Sequence, residues 1–310
     1  MTNAAIRCCV SQARNLALVA SLQAVAAGLA PVAAAAAGSS PAAANALHAA
    51  IKAMGSVASA ALTPLFKAVG ARLDGCLLKM HAEGFGDTAK NNTTDASKYM
   101  EETVAVLSYF AQEFLQPLGG GGAAAAGGQQ TTGGGDGGSG ALTVTAAALR
   151  PMAARLLTLF VRHAAMVRPL SESGKLRLAK DTAELEAAVA QHLCPVESLG
   201  ASYRALRAFR PLLFVETEAV PSSALLADLP PSAVLHHLYS RAPPQLASPH
   251  ARAGLSAAQY SAWMDQHSER ETWKGVKGTL DAYAASLKAP GAAPAAVHGV
   301  MLTLGSSLAM

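Results

Sequence analysis

Asp and Glu are absent from the first 73 residues of this chain, aromatic residues make up 5% of the whole and charged residues 14%. So few aromatics argue against a sheet-rich fold and against a surface that stacks nucleic-acid bases. A net charge of +4 over 310 residues is also too mild to indicate nucleic-acid binding. The four cysteines, Cys8, Cys9, Cys76 and Cys194, are either adjacent or isolated and form no CxxC pair. They read as free thiols of a reducing compartment, not as a metal or redox site. No stretch alternates at period two, so no sheet is expected. What is present in quantity is alanine, which supplies much of the 51% apolar content. Alanine favours helix and contributes little burial, so the expectation is an all-α protein of closely packed helices.

The organising stretch runs from Leu156 to Glu216. Leu156, Phe160 and Val167, then Leu178, Leu185 and Val189, then Leu199, Tyr203 and Leu206 recur at helical spacing, followed by Leu212 and Leu213. That rhythm puts each set on one helix face, with Arg and Lys on the other. Pro169 and Pro211 are expected to punctuate it, because proline cannot donate a hydrogen bond inside a helix.

Three regions follow along the chain: a helical block over 1–117, a disordered Gly/Ala-rich insertion over 118–143, and a second helical block over 144–310. The insertion lacks the apolar surface needed to offset the entropy of ordering it. In the first block, Leu18, Leu22, Val25, Leu29 and Val32 repeat at alternating spacings of four and three, as in a packed helix or coiled coil. The alternative for residues 1–40 is an organelle transit peptide, since the start is acid-poor and carries Arg7 and Arg14. A membrane span over 16–37 is not expected, because alanine supplies little transfer energy. Thr63-Pro64 reads as a helix start. Met100, Val104, Leu107 and Phe114 are expected on one face of a helix over 99–116. Ser256 with Gln259, and Ser268 with Glu271, fit capping boxes. Trp273, Val276, Leu280 and Tyr283 stripe the helix after the second of these, and a last helix passes through Val300 and Leu304.

Candidate chemistry is thin. Gly174-Lys175 has Leu176 where a phosphate loop needs Ser or Thr, so Gly174 reads as a helix-start glycine. His236 and His237 are neighbours and point about 100° apart on a helix, unlike a metal-binding pair at i and i+4. Asp181, Glu184 and Glu186 lie among Lys175, Arg177 and Lys180 and read as solvated ion pairs. Ser171, His163 and Asp181 form no triad context. No catalytic, cofactor-binding or metal-binding residue is expected, and no enzyme. Arg204, Arg207 and Arg210 form a stripe at i, i+3 and i+6. They are the candidate partner-docking ridge, since Arg is enriched at interface hot spots.

Several segments carry a family resemblance. Phe160-Val161-Arg162-His163-Ala164, Gly174-Lys175-Leu176-Arg177-Leu178-Ala179, Leu206-Arg207-Ala208-Phe209-Arg210-Pro211-Leu212-Leu213-Phe214 and Val234-Leu235-His236-His237-Leu238-Tyr239-Ser240-Arg241 resemble, in order, the C-terminal half of subunit 5 of the conserved oligomeric Golgi complex. The plant and green-algal form is the nearest in kind. The resemblance implies an elongated stack of helical bundles, as in multisubunit vesicle tethers. It implies a scaffolding role in intra-Golgi retrograde transport, with no cofactor and no nucleic acid. The partners it implies are subunit 7, the lobe with subunits 6 and 8, and Golgi SNAREs, Rab GTPases and golgins. The implied place is the cytoplasmic face of Golgi membranes, as a peripheral protein with a cytosolic pool.

Overall fold

A computed structural model describes residues 3–86, 96–116, 144–287 and 293–309, with side chains described from Asn15 onward in the first segment. The insertion expected over 118–143 lies outside the described residues. Every regular element among the described residues is helical and none is a strand. The α-helices are α1 (Asn3–Ser39), α2 (Pro41–Leu78), α3 (Lys98–Phe110), α4 (Val144–Ala165), α5 (Glu172–His192), α6 (Ala201–Leu212), α7 (Pro231–Leu238), α8 (Pro249–Arg252), α9 (Ala257–Met264), α10 (Glu269–Ser286) and α11 (Ala296–Ala309). Short 3-10 turns join several of them.

The chain folds into two compact units. One comprises Met1–Leu73, Val104–Ala154 and Ala187–Ser198, the other Asp74–Thr103, Arg155–Glu186 and Leu199–Met310. The blocks expected over 1–117 and 144–310 are each continuous in sequence. The compact units are not, since each draws on both sides of residues 118–143.

In the first unit α1 buries Leu16, Val19 and Ala33, while Leu18, Val25 and Val32 are about half exposed. The expected stripe therefore lies beside the packed face, not on it. Narrow alanine rows let another face of the helix approach its neighbours, as Ala33 does at 0% exposure. By length and composition alone, Asn15–Ser39 and Pro41–Ala82 are apolar enough to cross a membrane, with mean hydropathy 1.9 and 1.3. The helix start expected at Thr63-Pro64 is absent: α2 runs straight through Pro64. Thr63 Oγ1 donates to the Ser59 carbonyl at 2.8 Å, one turn back, instead of capping a new helix. Beyond α3 the backbone widens into a π turn over Ala111–Leu115. The wider turn shifts the register, so Leu107, Phe110 and Leu115 are buried and Phe114 is only half-buried. Phe110 meets Phe66 edge-on at 5.6 Å.

In the second unit the core is built from Leu156, Leu157, Phe160, Leu178, Leu206, Phe209, Leu212 and Leu213, with Val234, Leu235 and Leu238 of α7. Pro211 does not separate two helices: α6 continues through it to Leu212, with Leu213 still helical in conformation. Pro211 denies an N–H to the Arg207 carbonyl one turn back, but both residues lie on the exposed face, where water can take its place. Both expected capping boxes are present, at Ser256 with Gln259 and Ser268 with Glu271. Helix α10 buries Trp273, Val276, Leu280 and Tyr283 as its stripe requires. Helix α11 turns Val297, Met301 and Gly305 inward rather than Val300 and Leu304. The reason is Gly305: a Cβ there would stand 2.2 Å from the Trp273 ring, so the indole lies where a side chain would be.

Candidate interaction surface

Helix α6 carries the three arginines, and its amphipathic sequence explains their placement. Ala205, Leu206, Ala208, Phe209 and Leu212 are buried. Arg204, Arg207 and Arg210 occupy the exposed remainder. The helix begins after Gly200, whose φ of 57° lies where a residue bearing Cβ is strained. It ends on Arg241, whose guanidinium donates to the carbonyls of Leu212 (3.0 Å) and Val215. A cation donating to the final carbonyls satisfies orphan acceptors and complements the negative end of the helix dipole. The same guanidinium donates to His237 Nε2 at 3.0 Å, and His237 meets Phe209 edge-on at 5.8 Å.

The three arginines do not share one environment. Arg204 Nε donates to Asp228 at 3.0 Å, in an ion pair whose partners are about half exposed. The Arg207 guanidinium lies 5.8 Å from the centre of the Tyr203 ring, and the Tyr203 hydroxyl donates to Glu186 at 2.5 Å. Arg210 projects from the following turn with no ion pair among the described residues. Phe214, one turn beyond Arg210, is 45% exposed. It stands seven residues after Arg207, a spacing visible in the sequence but masked by the adjacent buried pair Leu212 and Leu213.

Two cavities lie in the second unit. One, of about 380 Å³, is bordered by Arg162, Ser202, Arg204, Asp228, His267 and Glu269. The larger, about 710 Å³, is lined by Met80, His81, Arg168, His236, Tyr239 and His250, among others. Arg168, which follows α4 and precedes the cis proline Pro169, spends its guanidinium on the carbonyls of Leu246, Ala242 and Pro243. The histidines are also engaged. His81 Nε2 and His163 Nδ1 share one hydrogen bond of 3.0 Å. His163 is buried, which lowers its pKa to about 3, so it is neutral at pH 7. His236 Nδ1 donates to the Ser232 carbonyl, which fixes the tautomer and leaves Nε2 to accept from the Tyr260 hydroxyl at 3.1 Å. No group of three or more His, Cys, Asp or Glu that could hold a metal ion occurs among the described residues.

The other sequence candidates are structural. Asp181 was expected in a solvated ion pair and is instead fully buried. It accepts from Ser97 N (3.1 Å), Ser97 Oγ (2.7 Å) and the Tyr99 hydroxyl (2.7 Å). Burial raises its pKa, opposed by those hydrogen bonds. The sequence hid this because both partners lie more than 80 residues earlier. Glu184 is exposed. Ser171 Oγ accepts from Gly174 N at 3.1 Å, as an N-cap of α5, and donates to the Phe85 carbonyl. Ser171, His163 and Asp181 are thus each bonded elsewhere. A Cβ on Gly174 would stand 2.1 Å from the Phe85 carbonyl oxygen, which is why the first turn of α5 has glycine there. Trp273 is buried, and Trp263 is half-buried, stacked between Tyr260 and His267. Cys76 and Cys194 are free thiols.

Comparison with known proteins places relatives beside this chain. Conserved oligomeric Golgi complex subunit 5 of Arabidopsis thaliana is 47% identical over 248 residues, 80% of this chain and 28% of that protein. The protein of the same name from Mus musculus is 32% identical over 299 residues, 94% of this chain and 34% of that protein. The Drosophila melanogaster protein of that name is 34% identical over 136 residues, 43% of this chain. The chain thus spans about a third or less of the length of these curated relatives. No family model and no solved structure matches it.

Proposed function

We propose a function from the premise that this chain is a homologue of conserved oligomeric Golgi complex subunit 5: it is a structural part of a Golgi vesicle-tethering complex. It acts by scaffolding, with apolar helix faces forming its own core and exposed faces holding neighbouring subunits. The observation that carries this reading is identity of 47% across 80% of the chain. The all-helical architecture supports it, as does a second unit whose polar side chains are engaged in helix caps and buried locks. In this reading the chain catalyses no reaction. Its partners are subunit 7 and the lobe with subunits 6 and 8, and through the assembled complex Golgi SNAREs, Rab GTPases and golgins. Its place is the cytoplasmic face of Golgi membranes, held peripherally, with a cytosolic pool. Arg204, Arg207 and Arg210 are the proposed docking ridge, with Arg204 at its edge because Asp228 already pairs it. Burial of Leu16 and Val19 within the first unit favours a packed first helix over a cleaved transit peptide in residues 1–40.

The test is co-purification with subunit 7 of the same organism, with Leu206→Asp as a misfolded control. Leu206 is fully buried, and a buried leucine stabilises by about 1.5–3 kcal/mol before the cost of an unpaired charge is added. The expected result is a stable complex with the parent chain and none with the control. A well-folded parent chain that recovers no subunit 7 would count against the reading.

A further inference from the structure

The row of charge on α6 changes character along its length. At about 100° per residue, Arg207 and Arg210 stand about 60° apart around the helix, and Phe214, if the turn is continued, falls between them. Arg204 diverges to the other side of Arg207 and is already neutralised by Asp228. Two guanidiniums and one phenyl ring are therefore left facing outward together, with Phe214 45% exposed, Pro211 exposed beside them and Glu216 the first exposed acid beyond the ring. Arg207 is steadied by the Tyr203 ring beneath it, which lowers the entropy that a contact to it would cost.

We infer that Phe214, flanked by Arg207 and Arg210, is the apolar anchor of a docking surface for a protein segment that sets carboxylates around an apolar socket. An aromatic ring bordered by arginines is the composition of interface hot spots, where a desolvated anchor is ringed by contacts that exclude water. The charge of the patch selects the occupant. A second copy of this chain meeting it face to face would set guanidiniums against guanidiniums, which is repulsive. An anionic membrane is recognised by clusters of about four to eight basic residues, and this patch offers two beside the phenyl. An acidic protein surface matches both its sign and its size. The inference rests on the reading above only for which protein supplies the segment; the chemistry stands apart from it.

The test places a photoreactive p-benzoylphenylalanine at position 214 of the full chain in cells of its own organism, with the same residue at Leu176 as control. Leu176 is 57% exposed on α5, so it reports random encounter. The expected product is a light-dependent cross-link to a peptide with two or more Asp or Glu within a helical turn of the modified apolar residue. Arg207→Glu with Arg210→Glu should lower its yield at least about tenfold, the scale of a hot-spot loss. Thermal unfolding equal to that of the parent would establish that the charge reversals act at the surface. The inference is overturned by a cross-link to lipid, to a second copy of the chain or to a peptide without acids. It is overturned equally by a yield no higher than at position 176, or one that ignores the arginines. A cross-link of the expected chemistry to a protein outside the Golgi complex would sustain the inference and sink the proposed function instead.

Discussion

Gly174 shows how one hydrogen atom decides a contact. The first turn of α5 approaches residue 85 so closely that an alanine Cβ would lie 2.1 Å from the Phe85 carbonyl oxygen, a backbone atom that cannot swing aside. Gly174→Ala is therefore expected to lower stability by about 2 kcal/mol or more, on the scale of overpacking a core. Gly278, inside α10 with nothing within 4 Å of its notional Cβ, should respond in the opposite sense. There alanine gains up to about 1 kcal/mol of helix propensity. Urea unfolding of the two variants checks both signs, and equal midpoints would contradict the close approach. Asp181 works at the same scale. Its three donors come from Ser97 and Tyr99, so a single carboxylate ties the start of α3 to α5.

At the scale of the element, α6 is held at both ends by residues outside its own stripe. Gly200 turns the chain into it, and Arg241 closes its last turn from the far side of α7. Arg241→Met keeps most of the side-chain volume but leaves the carbonyls of Leu212 and Val215 without their charged donor. Each buried acceptor left unpaired costs about 1–3 kcal/mol. The variant is expected to unfold at lower urea, with amide exchange in residues 206–213 accelerated before that of α10. Unchanged exchange there would mean that the cap contributes nothing. Pro211 is tolerated inside α6 because it lies on the exposed face, where water can replace the N–H that the Arg207 carbonyl loses.

At the scale of the whole molecule, burial of histidine sets the acid limit. His236 is held at about 4, His163 and His237 at about 3, all chiefly by desolvation. In the unfolded chain each takes up a proton near pH 6.5. Unfolding therefore binds protons between these limits. Stability is full above about pH 6.5 and is lost as pH falls toward 4, at up to about 1.4 kcal/mol per pH unit for each histidine. Asp181 acts in the opposite sense, since its raised pKa lets the folded state keep a proton longer as pH rises. Three groups outweigh one, so the urea midpoint should drop clearly from pH 7 to pH 5. A midpoint that stays level or rises over that range would contradict the burial of these rings.

The all-helical class was legible in the sequence, because alanine content, apolar spacing of three and four, and the Ser-x-x-Gln and Ser-x-x-Glu boxes are local properties that one segment can express alone. So was the stripe of α10, whose large side chains leave a single face able to pack. The faces of α1 and α11 were not legible, for alanine and glycine let either of two faces approach a neighbour, and only the neighbour chooses: Trp273 selects Gly305 on α11. Nor could the sequence tell that Asp181 is buried, or that Arg204 is paired while Arg207, Arg210 and Phe214 face outward together. Each of those depends on groups brought from a distant turn or from tens of residues away, and that distance is closed only by folding.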